Sequence, residues 1–137
     1  MKNFNFSRYL SVFLWLVAFH SLCVGVGLIV VPCSFMQDLG YGICSERFFR
    51  SQGGVFHIVM AVGYSMAAFN SKRFECLVIF SVIVKFIAAV FLFYYYFIIN
   101  PLIVIILSCV SDLIMGAAIL SLYLLSKKTE QNWIKNE

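Results

Sequence analysis

The chain alternates between long apolar runs and short polar segments. The two longest runs, residues 77–99 and 102–125, are separated only by Asn100 and Pro101 and together contain one lysine, Lys85, and one aspartate, Asp112. Each run exceeds the roughly 20 apolar residues that cross a bilayer as a helix. The pattern therefore predicts a hairpin of two membrane-spanning helices.

Two further apolar runs precede this hairpin. Residues 9–31 form a run longer than a signal-peptide core of roughly 7–15 residues, and no small-residue cleavage site follows, so we expect a membrane helix. Residues 51–69 are rich in glycine and alanine, which allow membrane helices to approach closely. We thus predict an all-α protein with a single membrane domain. It is a polytopic four-helix transmembrane bundle with spans at 9–31, 51–69, 77–99 and 102–125, an outer loop at 33–50 and a polar tail at 126–137.

The composition and the placement of charge agree with a membrane protein. Of 137 residues, 63% are hydrophobic and 12% are charged, whereas a soluble domain carries about 25% charged residues. The net charge of +4 comes from basic residues beside the apolar runs, where they set membrane orientation, so nucleic acid is not an expected partner. If the N-terminus lies in the cytoplasm, most of these basic residues lie on the inner, cytoplasmic side of the membrane. We therefore expect both termini in the cytoplasm of a bacterium and a multi-pass protein of its inner membrane. The inner set is Lys2, Arg8, Lys72, Arg73, Lys127, Lys128 and Lys135, and the outer set is Arg47 and Arg50.

The two charged residues of the hairpin are the first candidates for function. An ionisable side chain inside a membrane needs a partner or water, and it marks a functional site by default. If the last two spans pair antiparallel about the Asn100–Pro101 turn, Asp112 lies opposite roughly Ala89, one turn or ~6 Å from Lys85. A lysine side chain bridges that distance. The alternative is that Lys85 extends along its apolar stem towards the cytoplasmic face.

The other two spans also carry polar side chains that can face a shared interior. We expect His20 near the middle of the membrane, His57 in the outer half, and Tyr64 on the same helical face as His57. Arg50 is expected at the outer mouth. The alternatives are an ordinary hydrogen bond between helices for His20 and a headgroup position for His57. The candidate ligand-binding or buried polar residues are Asp112, Lys85, His57, His20, Tyr64 and Arg50.

The five cysteines contain no C-x-x-C pair and no metal-ligand spacing, so we predict no metal site. Cys33 and Cys44 both fall in the predicted outer loop, which is the oxidising side in a bacterium, and they are a candidate disulfide. The alternative is two unpaired cysteines that act as small hydrophobic residues.

Several of these residues together resemble a known group of proteins. The order Arg50-x-x-Gly53-Gly54 at the start of a span, Gly63-Tyr64 in its middle, a lone Lys85 and then a lone Asp112 is similar to small bacterial four-helix membrane proteins of the DoxX-like kind. The resemblance covers residues 48–125. It implies an association with quinone-linked sulfur or thiol oxidation, although this chain has no cysteine pair of redox spacing.

Three classes of function follow from the residues. No nucleophile elbow, zinc-protease or phosphate-loop motif is present, so we lean against an enzyme. The first class is an accessory or assembly subunit of a larger membrane complex, with the bilayer, other subunits or further copies as partners and a lipid-facing groove lined by Gly54, Gly63 and Ala67. The second is a stand-alone module that binds a quinone, a sterol-like molecule or a lipid in a polar-anchored pocket. The third is a proton or solute path through the bundle.

Overall fold

A computed structural model describes residues 5–42 and 47–134, with side chains described as far as residue 131. Every regular element in these residues is a helix: α1 (Phe6–Val30), α2 (Cys33–Asp38), α3 (Phe48–Phe69), α4 (Glu75–Ile98) and α5 (Ile103–Ile134). The helices α1, α3 and α4 and the Ile103–Gln131 part of α5 are long and apolar enough to cross a membrane. The predicted all-α, four-helix, multi-pass architecture is confirmed.

The four long helices form a closed ring in which each packs against two neighbours. Helix α1 packs most closely on α3, and α4 packs most closely on α5; contacts of α1 with α5 and of α3 with α4 complete the ring. Both close pairs are antiparallel. We call the end where α1 and α4 begin and α3 and α5 end the basic end, and the opposite end, which holds α2, the α2 end.

The bounds of three segments differ from the sequence-based expectation. Within the segment expected to be a loop at 33–50, Cys33–Asp38 forms α2, and α3 already begins at Phe48. The segment expected to be a polar tail from residue 126 continues α5 to Ile134. Side-chain contacts with the rest of the bundle hold this extension in place: Lys127 pairs with Glu75 at 2.8 Å, and Glu130 pairs with Lys72 at 2.7 Å.

The packed core lies in the half of the bundle next to the basic end. Its residues come from all four long helices, so this half holds the ring together. They are Leu10, Leu14, Val17, Ala18, Tyr64, Ala67, Ala68, Val78, Met115 and Ile119. Many other large apolar side chains are exposed on the outer faces of the helices, as suits a surface in contact with lipid tails.

Helices α1 and α3 are in close backbone contact at two glycines. A Cβ atom on Gly54 would lie 2.6 Å from the carbonyl oxygen of Gly25, and a Cβ atom on Gly25 would lie 2.7 Å from that of Gly54. The space beside Gly63 is open, and Ala67 is buried in the core. The predicted lipid-facing groove of Gly54, Gly63 and Ala67 is therefore wrong, because two of its three members face inwards.

Candidate functional site

Lys85 of α4 and Asp112 of α5 form a charged pair in the middle of the bundle. The Lys85 Nζ atom donates a hydrogen bond to the Asp112 Oδ1 atom at 2.5 Å. Lys85 is only 5% exposed, and the side chain of Asp112 is 15% exposed. Lys85 lies ten residues after the start of α4, or ~15 Å along the helix axis, which is about half the thickness of a bilayer core. The contact with Asp112, rather than extension of the side chain towards the membrane surface, stabilises the buried lysine.

The geometry of this pair follows from the antiparallel register of α4 and α5. A Cβ atom on Gly116 would lie 3.2 Å from the Lys85 Cβ atom, so Gly116 leaves room for the lysine stem. Asp112 lies one helical turn further towards the α2 end, and the Lys85 side chain spans that turn. In the next layer the Cys109 thiol donates to the Ala89 carbonyl oxygen, with the two atoms 3.3 Å apart.

Tyr64 of α3 lies beside the charged pair, on the side that faces the core. The Lys85 Nζ atom lies 5.7 Å from the centre of the Tyr64 ring, within the range of a cation–π contact. Tyr64 is 2% exposed and belongs to the core. Three helices therefore position the lysine ammonium group.

The two histidines lie at the same level as the charged pair. His20 lies ten residues from the end of α1, His57 lies nine residues from the start of α3, and Asp112 lies nine residues from the start of α5, and these three helix ends all lie at the α2 end. Ser21 connects the two helices at this level, because its hydroxyl donates to the His57 carbonyl oxygen at 3.0 Å and lies 3.4 Å from the His57 Nδ1 atom. The structure thus brings together one polar side chain from each long helix, and we call His20, His57, Lys85 and Asp112 the polar cluster.

The two histidines lie at similar depths in the bundle. His57 lies nine residues, or ~14 Å, from the start of α3, and His20 lies ten residues, or ~15 Å, from the end of α1. Both are near the middle of the bundle. His57 lies deeper than the apolar run suggests, because α3 begins at Phe48, three residues earlier than that run, and its place in the outer half stays a prediction.

Arg50 lies apart from the polar cluster, at the α2 end, and its position at the outer mouth stays a prediction. Its Nη2 atom donates to the Val31 carbonyl oxygen at 2.7 Å, beside the carboxyl end of α1. Seven residues, or ~10 Å along α3, separate it from His57. Its Nε and Nη1 atoms are buried without a hydrogen-bond partner in the described structure. The contact ties the start of α3 to the end of α1.

The segment after α2 covers the α2 end of the bundle. Gly40 has a φ of +90°, and a Cβ atom there would lie 2.9 Å from a Leu102 methyl group in the α4–α5 turn. Burial and the neighbouring Tyr95 both raise the pKa of Tyr41 above its usual value. The sequence shows Gly40-Tyr41-Gly42 only as a turn, so this covering position was missed.

Four of the five cysteines lie in the described residues. Cys33 lies in α2, and Cys44 lies outside the described residues, so the disulfide between them stays a prediction. Cys23, Cys76 and Cys109 are free thiols. In the described part of the chain, no three His, Cys, Asp or Glu side chains are grouped to hold a metal ion.

Sequence reasoning also missed a polar network at the basic end. The Tyr123 hydroxyl donates to the Glu75 carboxylate, which also pairs with Lys127. A signal was present in the sequence, because Glu75 and Lys127 lie at nearly equal distances from the Asn100–Pro101 turn and therefore face each other across an antiparallel hairpin.

Comparisons of the chain with protein-family models, with curated proteins and with solved structures found no match. The resemblance to the DoxX-like group therefore stays a prediction. The function proposed below rests on the geometry of the polar cluster and of the helices around it.

Proposed function

We propose that this chain is a membrane-embedded binding module that holds a small lipophilic molecule against the polar cluster. One observation carries the proposal: the polar cluster lies at the level where the two close helix pairs stop sharing a packed core. All four long helices contribute to this core, and its buried members among the described residues all lie on the basic-end side of the polar cluster.

The buried residues of the α2-end half support a cleft between the two helix pairs. Two close helix contacts in this half lie within a pair, since Gly25 lies against Gly54 and the Cys109 thiol donates to the Ala89 carbonyl oxygen. The residues buried here are mostly small, and they are Ser21, Gly25, Gly54, Ala89, Ile105 and Cys109. We infer that α1 and α3 separate from α4 and α5 towards the α2 end, with the polar cluster as the floor of the cleft.

Three members of the polar cluster retain exposed surface at this depth. His20 is exposed, His57 is half-buried and the Asp112 side chain is 15% exposed. Polar groups that face hydrocarbon are unfavourable unless they find a hydrogen-bond partner. A ligand with a carbonyl or hydroxyl group supplies such a partner, since imidazoles both donate and accept and a carboxylate accepts.

The aromatic side chains around the inferred cleft favour a ligand with a flat, apolar body. Tyr95 and Tyr96 on α4 are partly buried in the α2-end half, and Tyr41 covers that end next to Tyr95. Ligand sites typically combine an apolar, aromatic lining with a few polar groups that fix orientation. A quinone or a sterol-like molecule suits this arrangement, and so does a lipid with a polar group near one end.

The test is recovery of a molecule from the protein purified in mild detergent, by solvent extraction and mass spectrometry. His20→Leu removes one polar group from an exposed position, so the fold should tolerate it. We expect bound lipophile to fall about fivefold or more, equivalent to one lost hydrogen bond to a ligand. Leu22→Phe is the matched control, because Leu22 lies about 200° around α1 from His20. An empty wild-type protein, or equal occupancy in both variants, would contradict the proposal.

The accessory-subunit role is a second candidate. Outside the membrane-length helices, the described chain offers only α2 and short connecting segments, so a partner would recognise mainly its membrane-facing helix surfaces. Native mass spectrometry of gently extracted material separates the two roles. A larger stoichiometric assembly without lipophile favours the subunit, and a single chain or homo-oligomer that retains lipophile favours the binding module.

A further inference from the structure

A cavity of about 400 Å³ lies at the basic end, remote from the polar cluster. The first turn of α1, the α3–α4 connection and the last turns of α5 form its walls. The cavity forms where the last turns of α5 lie beside the start of α1. Its lining residues are Asn5, Phe6, Ser7, Leu10, Ser71, Lys72, Tyr123, Ser126, Lys127, Thr129 and Glu130.

The lining combines two lysines and one glutamate with several hydroxyl groups. Lys72 and Lys127 each use one donor on a carboxylate, at 2.7 Å to Glu130 and 2.8 Å to Glu75. A lysine ammonium group has three donors, so both retain donors for a further anion. Ser7, Ser71 and Ser126 add hydroxyl groups around the same space, and the positive end of the α1 dipole lies at its edge.

The charge around the cavity also favours an anion. Basic residues outnumber acidic ones among the described side chains of this end. The basic residues are Arg8, Lys72, Arg73, Lys127 and Lys128, and the acidic residues are Glu75 and Glu130. The apolar floor contributed by Leu10 and Phe6 continues into the membrane-spanning part of the bundle. A group that is anionic at one end and apolar at the other matches this environment.

We propose that this cavity binds a phosphate group at the membrane surface, with Lys72 and Lys127 as its charged ligands. The phosphate belongs either to the headgroup of an anionic lipid or to a soluble phosphate. Both sources place the anion between the α3–α4 connection and the end of α5. Occupation links these two segments and fixes the last turns of α5 against the start of α1.

The experiment compares two double variants that remove equal charge from the same end. Lys72→Gln with Lys127→Gln removes both cavity lysines, whereas Arg73→Gln with Lys128→Gln removes two basic residues that do not line the cavity. Each protein is reconstituted in nanodiscs of phosphatidylcholine with a minor fraction of phosphatidylglycerol, and co-purifying lipid is measured by native mass spectrometry. We expect the cavity variant to lose retained phosphatidylglycerol roughly tenfold, the effect of losing a charge-assisted contact. The control should retain it.

A second arm identifies the source of the phosphate. Inorganic phosphate is titrated into the same proteins in pure phosphatidylcholine nanodiscs, and binding is followed by calorimetry. Retention of phosphatidylglycerol without a calorimetric signal assigns a lipid headgroup, and saturable phosphate binding that only the cavity variant loses assigns a soluble phosphate. The proposal is overturned if both double variants lose binding equally, or if the wild type binds neither probe. Circular dichroism of each variant verifies the helical fold.

Discussion

A buried ion pair in a membrane is stable only while both charges are present. Lys85 is almost fully buried, and its ammonium group contacts only Asp112 and the face of Tyr64 among the described charged and aromatic groups. Removal of the aspartate charge leaves an unpaired cation in surroundings of low polarity. The attraction between the two charges matters less here than the large cost of leaving one charge alone.

We therefore predict that Asp112→Asn lowers the free energy of unfolding by about 3–5 kcal/mol, the usual cost of breaking a buried pair. The measurement is reversible unfolding of the purified protein in mixed detergent micelles, followed by circular dichroism. The matched control is the double variant Lys85→Met with Asp112→Leu, which removes both charges. We expect it to recover most of the stability. A single variant as stable as the wild type would show that the pair does not hold the helices together.

The sequence identifies the polar residues inside the apolar runs, but it gives much less information on where their side chains lie. Lys85 and Asp112 stand out because each is a lone charge in an apolar run, and the antiparallel register already places them about one turn apart. The structure assigns Tyr64 to the core and Arg50 to the α2 end, and it adds Ser21 as the contact of His57. Helix rotation decides these positions, and an apolar run inside a membrane carries little periodic signal for rotation.

At the scale of the helices, the contact between Gly25 and Gly54 sets how closely α1 approaches α3. A Cβ atom on Gly54 would lie 2.6 Å from a backbone oxygen and 2.7 Å from the Ile29 Cγ1 atom. A side chain can move away by changing its rotamer, but a backbone oxygen cannot. The two helices must separate if this glycine gains a side chain.

We predict that Gly54→Ala lowers the free energy of unfolding by about 1–3 kcal/mol, as overpacking usually does. Gly63→Ala is the control on the same helix, because no atom lies within 4 Å of a Cβ atom there. It should be neutral or slightly stabilising, since alanine favours a helix over glycine by about 1 kcal/mol in water. The unfolding free energies of both variants are compared with that of the wild type. Equal shifts would contradict the close approach.

The helices themselves could be predicted from the length of the apolar runs, but their ends could not. Helix α5 passes beyond its apolar run because Lys127 and Glu130 pair with residues of α4 and of the α3–α4 connection. Such contacts join residues distant in sequence, so no local pattern reveals them. The short helix α2 was missed for a different reason, since Pro32 and Gly40 enclose a polar segment typical of a loop.

At the scale of the whole molecule, the bundle is asymmetric along the membrane normal. The half next to the basic end contains the shared core and the ion pairs of Lys127 and Glu130, whereas the residues buried in the α2-end half are mostly small. The two proposed sites belong to different halves. Loss of the phosphate site should therefore leave lipophile binding at the polar cluster intact, and the reverse should also hold.

The orientation of this asymmetric bundle in the membrane is the last prediction. Basic residues outnumber acidic ones at the basic end, and positive charge in short segments favours the cytoplasmic side. Exposed Gln37 in α2 and exposed Asn70 after α3 lie at opposite ends. In intact cells, we expect a membrane-impermeant maleimide to label Gln37→Cys but not Asn70→Cys, and permeabilisation should expose both. The unsubstituted chain gives the background from native thiols. Labelling of Asn70→Cys alone would mean that the basic end faces outwards and that the phosphate site meets the outer leaflet.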